Sequence, residues 1–173
     1  MPEITTMVDL NQNQTKIEET IKKLMGFMNL ECQLEFREEK EAVDEPRSDS
    51  RERGALFVSL YTPENGKLLI GKNGQALKAL EHVIRLALLK EEGMPSIILD
   101  VNDYRKSRVN FLVDLAKQAV SRVRNTQKAE ALAPMSSYER RVVHMELASC
   151  PDISTESIGD EPYRRVVIKP LTF

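Results

Sequence analysis

The sequence has few of the residues from which disulfide frameworks, metal clusters and catalytic relays are built. It holds two cysteines, Cys32 and Cys150, and two histidines, His82 and His144, in 173 residues. Two cysteines cannot make a disulfide framework, and with two histidines no Cys/His zinc pattern can be assembled. The thiols read as buried or idle groups in a reducing compartment, so a cytoplasmic location is expected. No apolar run approaches the roughly 18–20 residues that span a bilayer, which excludes membrane insertion by a helix. Residues 1–10 lack a basic segment followed by an apolar stretch, so no secretory signal is visible. No Ser/His/Asp set or arranged carboxylate pair emerges, and the two histidines are the only side chains that titrate near neutrality. The reading is therefore non-enzymatic, with no metal and no cofactor. What the chain does have is 41% hydrophobic and 30% charged residues, enough for a core and a solvated surface, in one domain or two small ones.

The net charge of −2 hides an asymmetry. Residues 1–103 carry 13 basic and 19 acidic side chains, and residues 104–173 carry 12 and 8. The stretch 104–128 alone has seven basic residues against Asp114. A local basic stretch in an acidic protein hints at an anionic partner, although a cationic helix face is also common on ordinary proteins.

Residues 1–14 are polar and without period, and read as a flexible tail. Thr15 followed by Glu18 has the form of a capping box, and Ile17, Ile21, Leu24, Met25 and Met28 recur at helical spacing. Leu30, Cys32, Leu34 and Phe36 alternate with polar residues, which predicts a half-buried strand. The charged run 37–53 predicts a solvated loop, and 54–61 a second strand with Leu56, Val58 and Leu60 on one face. A short helix ending at Ile70, a longer one carrying Leu77, Leu80, Ile84, Ala87 and Leu88 and stopped by Gly93 and Pro95, and a strand at 97–101 complete the first part. His82 reads as a structural residue of the longer helix. The second part opens with a helix over about 104–125. Residues 129–132 follow as a short strand, and a helix capped by Ser136 and Glu139 runs to about residue 149. Residues 153–158 and 163–168 then predict a β-hairpin. No internal repeat is visible.

Gly71-Lys72-Asn73-Gly74 stands between two predicted helices. Two glycines three apart let the backbone approach something bulky, because no Cβ blocks the way. Gly74 leads into a helix whose N-terminal amides carry partial positive charge, and Lys72 adds a full one. The arrangement suits a phosphodiester backbone; a tight helix–turn–helix without ligand is the plain alternative. Gly66-x4-Gly71-Lys72 approaches a Walker A loop, but three things oppose it. Asn73 stands where Ser or Thr must bind magnesium, the intervening residues are too apolar for an exposed phosphate cradle, and the strand order does not suit a P-loop fold.

Arg140 and His144 lie one helical turn apart and share a face. A guanidinium and an imidazole so placed could hold a phosphate between them. The plain alternative is a surface pair, or a histidine donating to a nearby carbonyl.

The string Leu69-Ile-Gly-Lys-Asn-Gly-Gln-Ala-Leu-Lys-Ala-Leu80, with its element order, resembles the KH domain in the helix-first, type II arrangement. The resemblance implies that Gly71, Lys72, Asn73 and Gly74 grip about four nucleotides of single-stranded nucleic acid, with Leu68, Leu69 and Ile70 on the groove floor. Asn73 stands where a second basic residue is common, which implies somewhat lower backbone affinity. Residues 134–147, Thr155-Glu-Ser157 and Arg164-Arg-Val-Val-Ile168 resemble the R-x3-H domain, a small single-stranded nucleic-acid-binding module. Arg140 and His144 match its name-giving pair, Arg141 a basic neighbour, and Arg164 and Arg165 the basic pair of its last strand. Ile158-Gly-Asp-Glu161 departs from a more glycine-rich acidic turn.

KH followed at once by R-x3-H resembles the Jag (SpoIIIJ-associated) family of bacterial RNA-binding proteins. The expected architecture is α+β: a tail over 1–14, a type II KH domain over 15–103 and a small α+β R-x3-H domain over 104–173. The implied ligand is single-stranded RNA, with single-stranded DNA as the related alternative, and the implied protein partner is a small single-KH-domain protein. Post-transcriptional regulation or RNA chaperoning linked to envelope, shape and division control is implied as well. An extra N-terminal domain found in many members has no counterpart in these residues. The competing reading is a protein-interaction adaptor that uses a degenerate KH fold to dimerise.

Overall fold

The computed structural model describes residues 3–39, 55–88 and 94–171. It divides into two compact units, Met1–Tyr104 and Arg105–Phe173, both mixed α and β. The first contains α1 (Glu3–Phe27), β1 (Gln33–Glu39), β2 (Ala55–Tyr61), α2 (Gly66–Ile70), a 3₁₀ turn (Lys72–Gly74), α3 (Gln75–Leu88) and β3 (Ser96–Val101). Its strands lie in the order β1-β2-β3. β2 is antiparallel to β1 and parallel to β3. The parallel pair requires a crossover, which the α2–α3 segment supplies. Leu56, Val58 and Leu60 of β2 pair with Ile97, Leu99 and Val101 of β3. All six are buried against Ile17, Ile21 and Met25 of α1 and Leu77, Ile84 and Leu88 of α3. The order helix, strand, strand, short helix, helix, strand is the one that the sequence pattern predicts.

Some local expectations need correction. α1 begins at Glu3, so residues read as a tail form its first turns, and Thr15 and Glu18 lie inside the helix rather than at a cap. Met28 is exposed beyond the helix end, and His82 and Ala87 lie on the exposed face of α3. On the buried face of α3 the stripe contains an acid, Glu81. Its Oε2 accepts a hydrogen bond from the Leu99 amide on the edge strand β3 at 3.3 Å, and its Oε1 accepts one from Arg85 at 2.8 Å. Most of the charged run read as a loop, residues 40–54, lies outside the described residues, as does Gly93.

The second unit contains most of α4 (Tyr104–Thr126), then β4 (Glu130–Ala131), α5 (Ser137–Leu147), β5 (Ile153–Ile158) and β6 (Arg165–Pro170). The sheet order is β4-β6-β5, with both pairings antiparallel. Leu112, Ala116, Ala119, Val120 and Val123 of α4 pack with Val143 and Leu147 of α5 and Ile153, Val166 and Ile168 of the sheet. The predicted cap of α5 is present. Ser136 Oγ accepts from the Glu139 amide, and Glu139 Oε2 accepts from the Ser136 amide at 2.7 Å. The other Glu139 oxygen accepts from Arg108 Nε at 2.7 Å, tying α5 to α4.

Candidate nucleic-acid interface

In the first unit the glycine loop has the backbone that its sequence requires. Gly71 (φ +67°) and Gly74 (φ +75°) are both left-handed, the region that penalises a Cβ. A Cβ on Gly71 would fall 2.6 Å from Ala76 Cβ, and one on Gly74 would fall 2.9 Å from the Tyr104 ring. Gly74 is thus buried under Tyr104 and serves the fold, while Lys72 and Asn73 between the glycines are exposed. Asn73 is itself left-handed at φ +53°, which asparagine tolerates better than most residues. Lys67 and Lys78, on the flanking helices, are also exposed. Among the described residues Lys67, Lys72 and Lys78 have no carboxylate partner. Residues 66–70 form helix α2, so the near-Walker spacing does not correspond to a phosphate-wrapping loop.

Of the three apolar residues expected on a groove floor, Leu68 is 64% exposed, Ile70 is half-buried and Leu69 is 5% exposed within the core. Withdrawing a buried leucine costs about 1.5–3 kcal/mol. Leu69 is therefore a core residue and does not meet a base.

In the second unit the Arg-x3-His pair is placed otherwise than its spacing suggests. Arg140 is 7% exposed. Its Nη1 donates to the Met135 carbonyl at 2.9 Å and to Glu161 Oε1 at 2.7 Å. His144 Nδ1 lies 2.7 Å from Thr155 Oγ1, and its Nε2 lies 2.9 Å from Ser157 Oγ. A neutral imidazole can donate through one nitrogen and accept through the other, and so serve both hydroxyls. Burial, and then the charge of Arg140, hold this imidazole below its usual range, in favour of the neutral form. His144 thus fixes α5 to β5, and Arg140 fixes α5 to the turn after β5. The expected open phosphate clamp is instead a brace inside the unit.

The signal for this lies in β5. Ile153, Thr155 and Ser157 alternate onto one face, and Ile153 is buried. Two hydroxyls that follow an inward-facing isoleucine need partners, and His144 supplies them.

The remaining predicted residues lie at the surface. Arg141 and Arg164 are exposed, and Arg165 is half-exposed with its Nε donating to the Tyr163 carbonyl at 3.2 Å. None of the three has a carboxylate partner among the described residues. The basic stretch in α4 is different. Arg108, Lys117, Arg122 and Arg124 pair with Glu139, Glu146, Glu130 and Asp152, so much of its positive charge is neutralised locally. Among the described residues no three His, Cys, Asp or Glu gather as a metal site, and no helix is long and apolar enough to cross a membrane.

Residues 110–170 match the family model of the R-x3-H domain. The matched residues fall wholly within the second unit, which is similar to an R-x3-H domain over most of its length. Relatives extend the likeness upstream. The RNA-binding protein KhpB of Clostridium symbiosum is 36% identical over 114 residues, covering 65% of this chain and 51% of that protein. That of Bacillus subtilis is 38% identical over 110 residues, covering 62% and 53%. That of Streptococcus pneumoniae (strain D39) is 26% identical over 166 residues, covering 95% and 46%. The chain spans about half the length of these relatives. Both findings agree with the Jag family as read from the paired motifs.

Proposed function

We propose that this chain is a non-enzymatic, cytoplasmic RNA-binding protein that takes single-stranded RNA on the Gly71–Gly74 turn and on the cationic edge of the R-x3-H hairpin. The observation that supports this most is the glycine turn. Its backbone is left-handed at both ends, its own side chains stay out of the way, and Lys72 and Asn73 stand in solvent beside the start of α3. The names of the relatives point the same way. In the R-x3-H unit the side chains offered to RNA are Arg141, Arg164 and Arg165, with Arg140 and His144 behind them as supports. Two weak sites on one chain act together, because the second encounter is intramolecular. Control of transcripts after their synthesis, with a small single-KH-domain protein as partner, follows from the family likeness.

The test is titration of a labelled single-stranded RNA of about a dozen nucleotides, followed by anisotropy. With about four phosphates neutralised at roughly 0.7 ion each, affinity should fall with salt at a log–log slope near −3. Lys72→Asp combined with Asn73→Asp should weaken binding by about tenfold or more and flatten the slope by about 0.7. The thermal midpoint should not move, since both side chains are exposed. Wild-type affinity in this variant refutes the glycine-turn assignment.

A further inference from the structure

The turn that Arg140 braces carries an aromatic residue that no motif singles out. Tyr163 is 69% exposed, although the backbone around it is firmly held. Its amide donates to the Asp160 carbonyl at 2.8 Å, and its carbonyl accepts from Arg165 Nε. The next residue, Arg164, accepts at its carbonyl from the Met135 amide at 3.2 Å, and two positions before Tyr163, Glu161 is held by Arg140. A side chain left in water on an ordered backbone loses little freedom when something stacks on it. Its neighbours are Arg164 and Arg165, whose guanidinium groups have no carboxylate partner among the described residues, while the charge of Glu161 is offset by Arg140. Among the described residues Asp160 has no such partner. An exposed aromatic side chain next in sequence to two cations offers what single-stranded nucleic acid needs, since each nucleotide brings a π-face and a phosphate.

We infer that Tyr163 is a base-stacking residue, and that the turn 159–165 seats one nucleotide with its base on the Tyr163 ring and its phosphate toward Arg164 and Arg165. This rests on the RNA-binding reading above and specifies how the R-x3-H unit would take part in it.

The whole 173-residue chain is titrated with the same labelled RNA and with a strand of equal length carrying abasic ribose units. Tyr163→Ala should weaken binding of the RNA about tenfold, and Tyr163→Phe should stay within about twofold of the parent. The salt slope should be unchanged, because no phosphate contact is lost. On the abasic strand Tyr163→Ala and the parent should bind alike. The chain contains no tryptophan, so Tyr163→Trp introduces a single indole, whose emission should be quenched by the RNA and not by the abasic strand. If Tyr163→Ala binds as the parent does while Lys72→Asp with Asn73→Asp still weakens binding, this inference fails alone. If the unaltered chain binds no single-stranded RNA, the broader reading fails with it.

Discussion

Replacing Arg140 with alanine separates a brace from a ligand. The residue is 7% exposed, and its side chain donates to a main-chain carbonyl and to Glu161. Truncation leaves the Met135 carbonyl without that donor, at a cost of about 1–3 kcal/mol for a buried group. The ion pair adds little, because Glu161 is 58% exposed and exposed partners contribute roughly 0.2–1 kcal/mol. Loss of the packed aliphatic stem adds to the total. Arg140→Ala should therefore destabilise the R-x3-H unit by about 2–3 kcal/mol, a large part of the stability of a unit this size. That corresponds to roughly 10–20 °C in its unfolding midpoint. Glu161→Ala should cost less than about 1 kcal/mol. The assay is urea unfolding of the whole chain, with hydrogen exchange read over residues 158–166 so that the R-x3-H transition is resolved from that of the first unit. Arg140→Lys sharpens the result. A lysine keeps the charge but lacks the guanidinium fork, so it should preserve a simple phosphate contact and still loosen the turn. If Arg140→Ala keeps full stability and native exchange over 158–166 yet loses RNA, the residue touches phosphate directly and the bracing argument is wrong.

Two further predictions concern stability. Gly74→Ala should destabilise the first unit by more than the roughly 1–2 kcal/mol of left-handed strain, because its Cβ would also fall 2.9 Å from the Tyr104 ring; thermal denaturation measures this, and a neutral result would mean the turn relaxes freely. The R-x3-H unit should lose stability on mild acidification. His144 is held below its usual 6.5 by burial and Arg140, so the unfolded chain binds the proton more readily. The contribution of the neutral ring is then fully present above pH 6.5 and is lost as pH falls from there through the folded value. Urea midpoints measured across that window should fall for the parent and fall less for His144→Gln. Glu139 acts lower on the scale. Burial pushes its carboxyl up, but hydrogen bonds from Arg108 and Ser136 outweigh this and hold it below 4.5, so its contribution is lost only below that pH.

How much of this was legible follows from the range of each signal. Periodicity placed the strands of both sheets and most of the buried face of α3, because alternation and helical spacing depend only on nearby residues. The box of Ser136 and Glu139 was legible, since Pro134 closes the preceding segment and nothing helical runs into Ser136. The same pattern at Thr15 and Glu18 misled, because a local motif does not report whether a helix already runs through it. Glu81 was missed because its reason, the Leu99 amide on an edge strand, lies 18 residues away in sequence. For Arg140 and His144 the spacing gave the correct shared face but not what that face meets. That was decided by Thr155 and Ser157 on β5 and by the turn carrying Glu161.

The same consideration changes what a count of basic residues means in the R-x3-H unit. Arg108, Lys117, Arg122, Arg124, Arg140 and Lys169 each face a carboxylate. Their fields are largely cancelled within a few ångströms, and a polyanion would have to displace a resident partner to use them. Arg141, Arg164 and Arg165 have no such partner among the described residues, so their charge remains available to an arriving phosphate. The stretch 104–128, the most basic segment by composition, therefore offers less free charge than its count implies, because four of its seven cations face a carboxylate. What recommends the hairpin under the proposed function is the division of labour between a buried arginine that fixes the turn and the exposed Arg164 and half-exposed Arg165 that follow Tyr163. Under the proposed function, the motif Arg-x3-His then marks where the RNA-facing surface is supported from behind, and that surface begins at the residues that the pair positions.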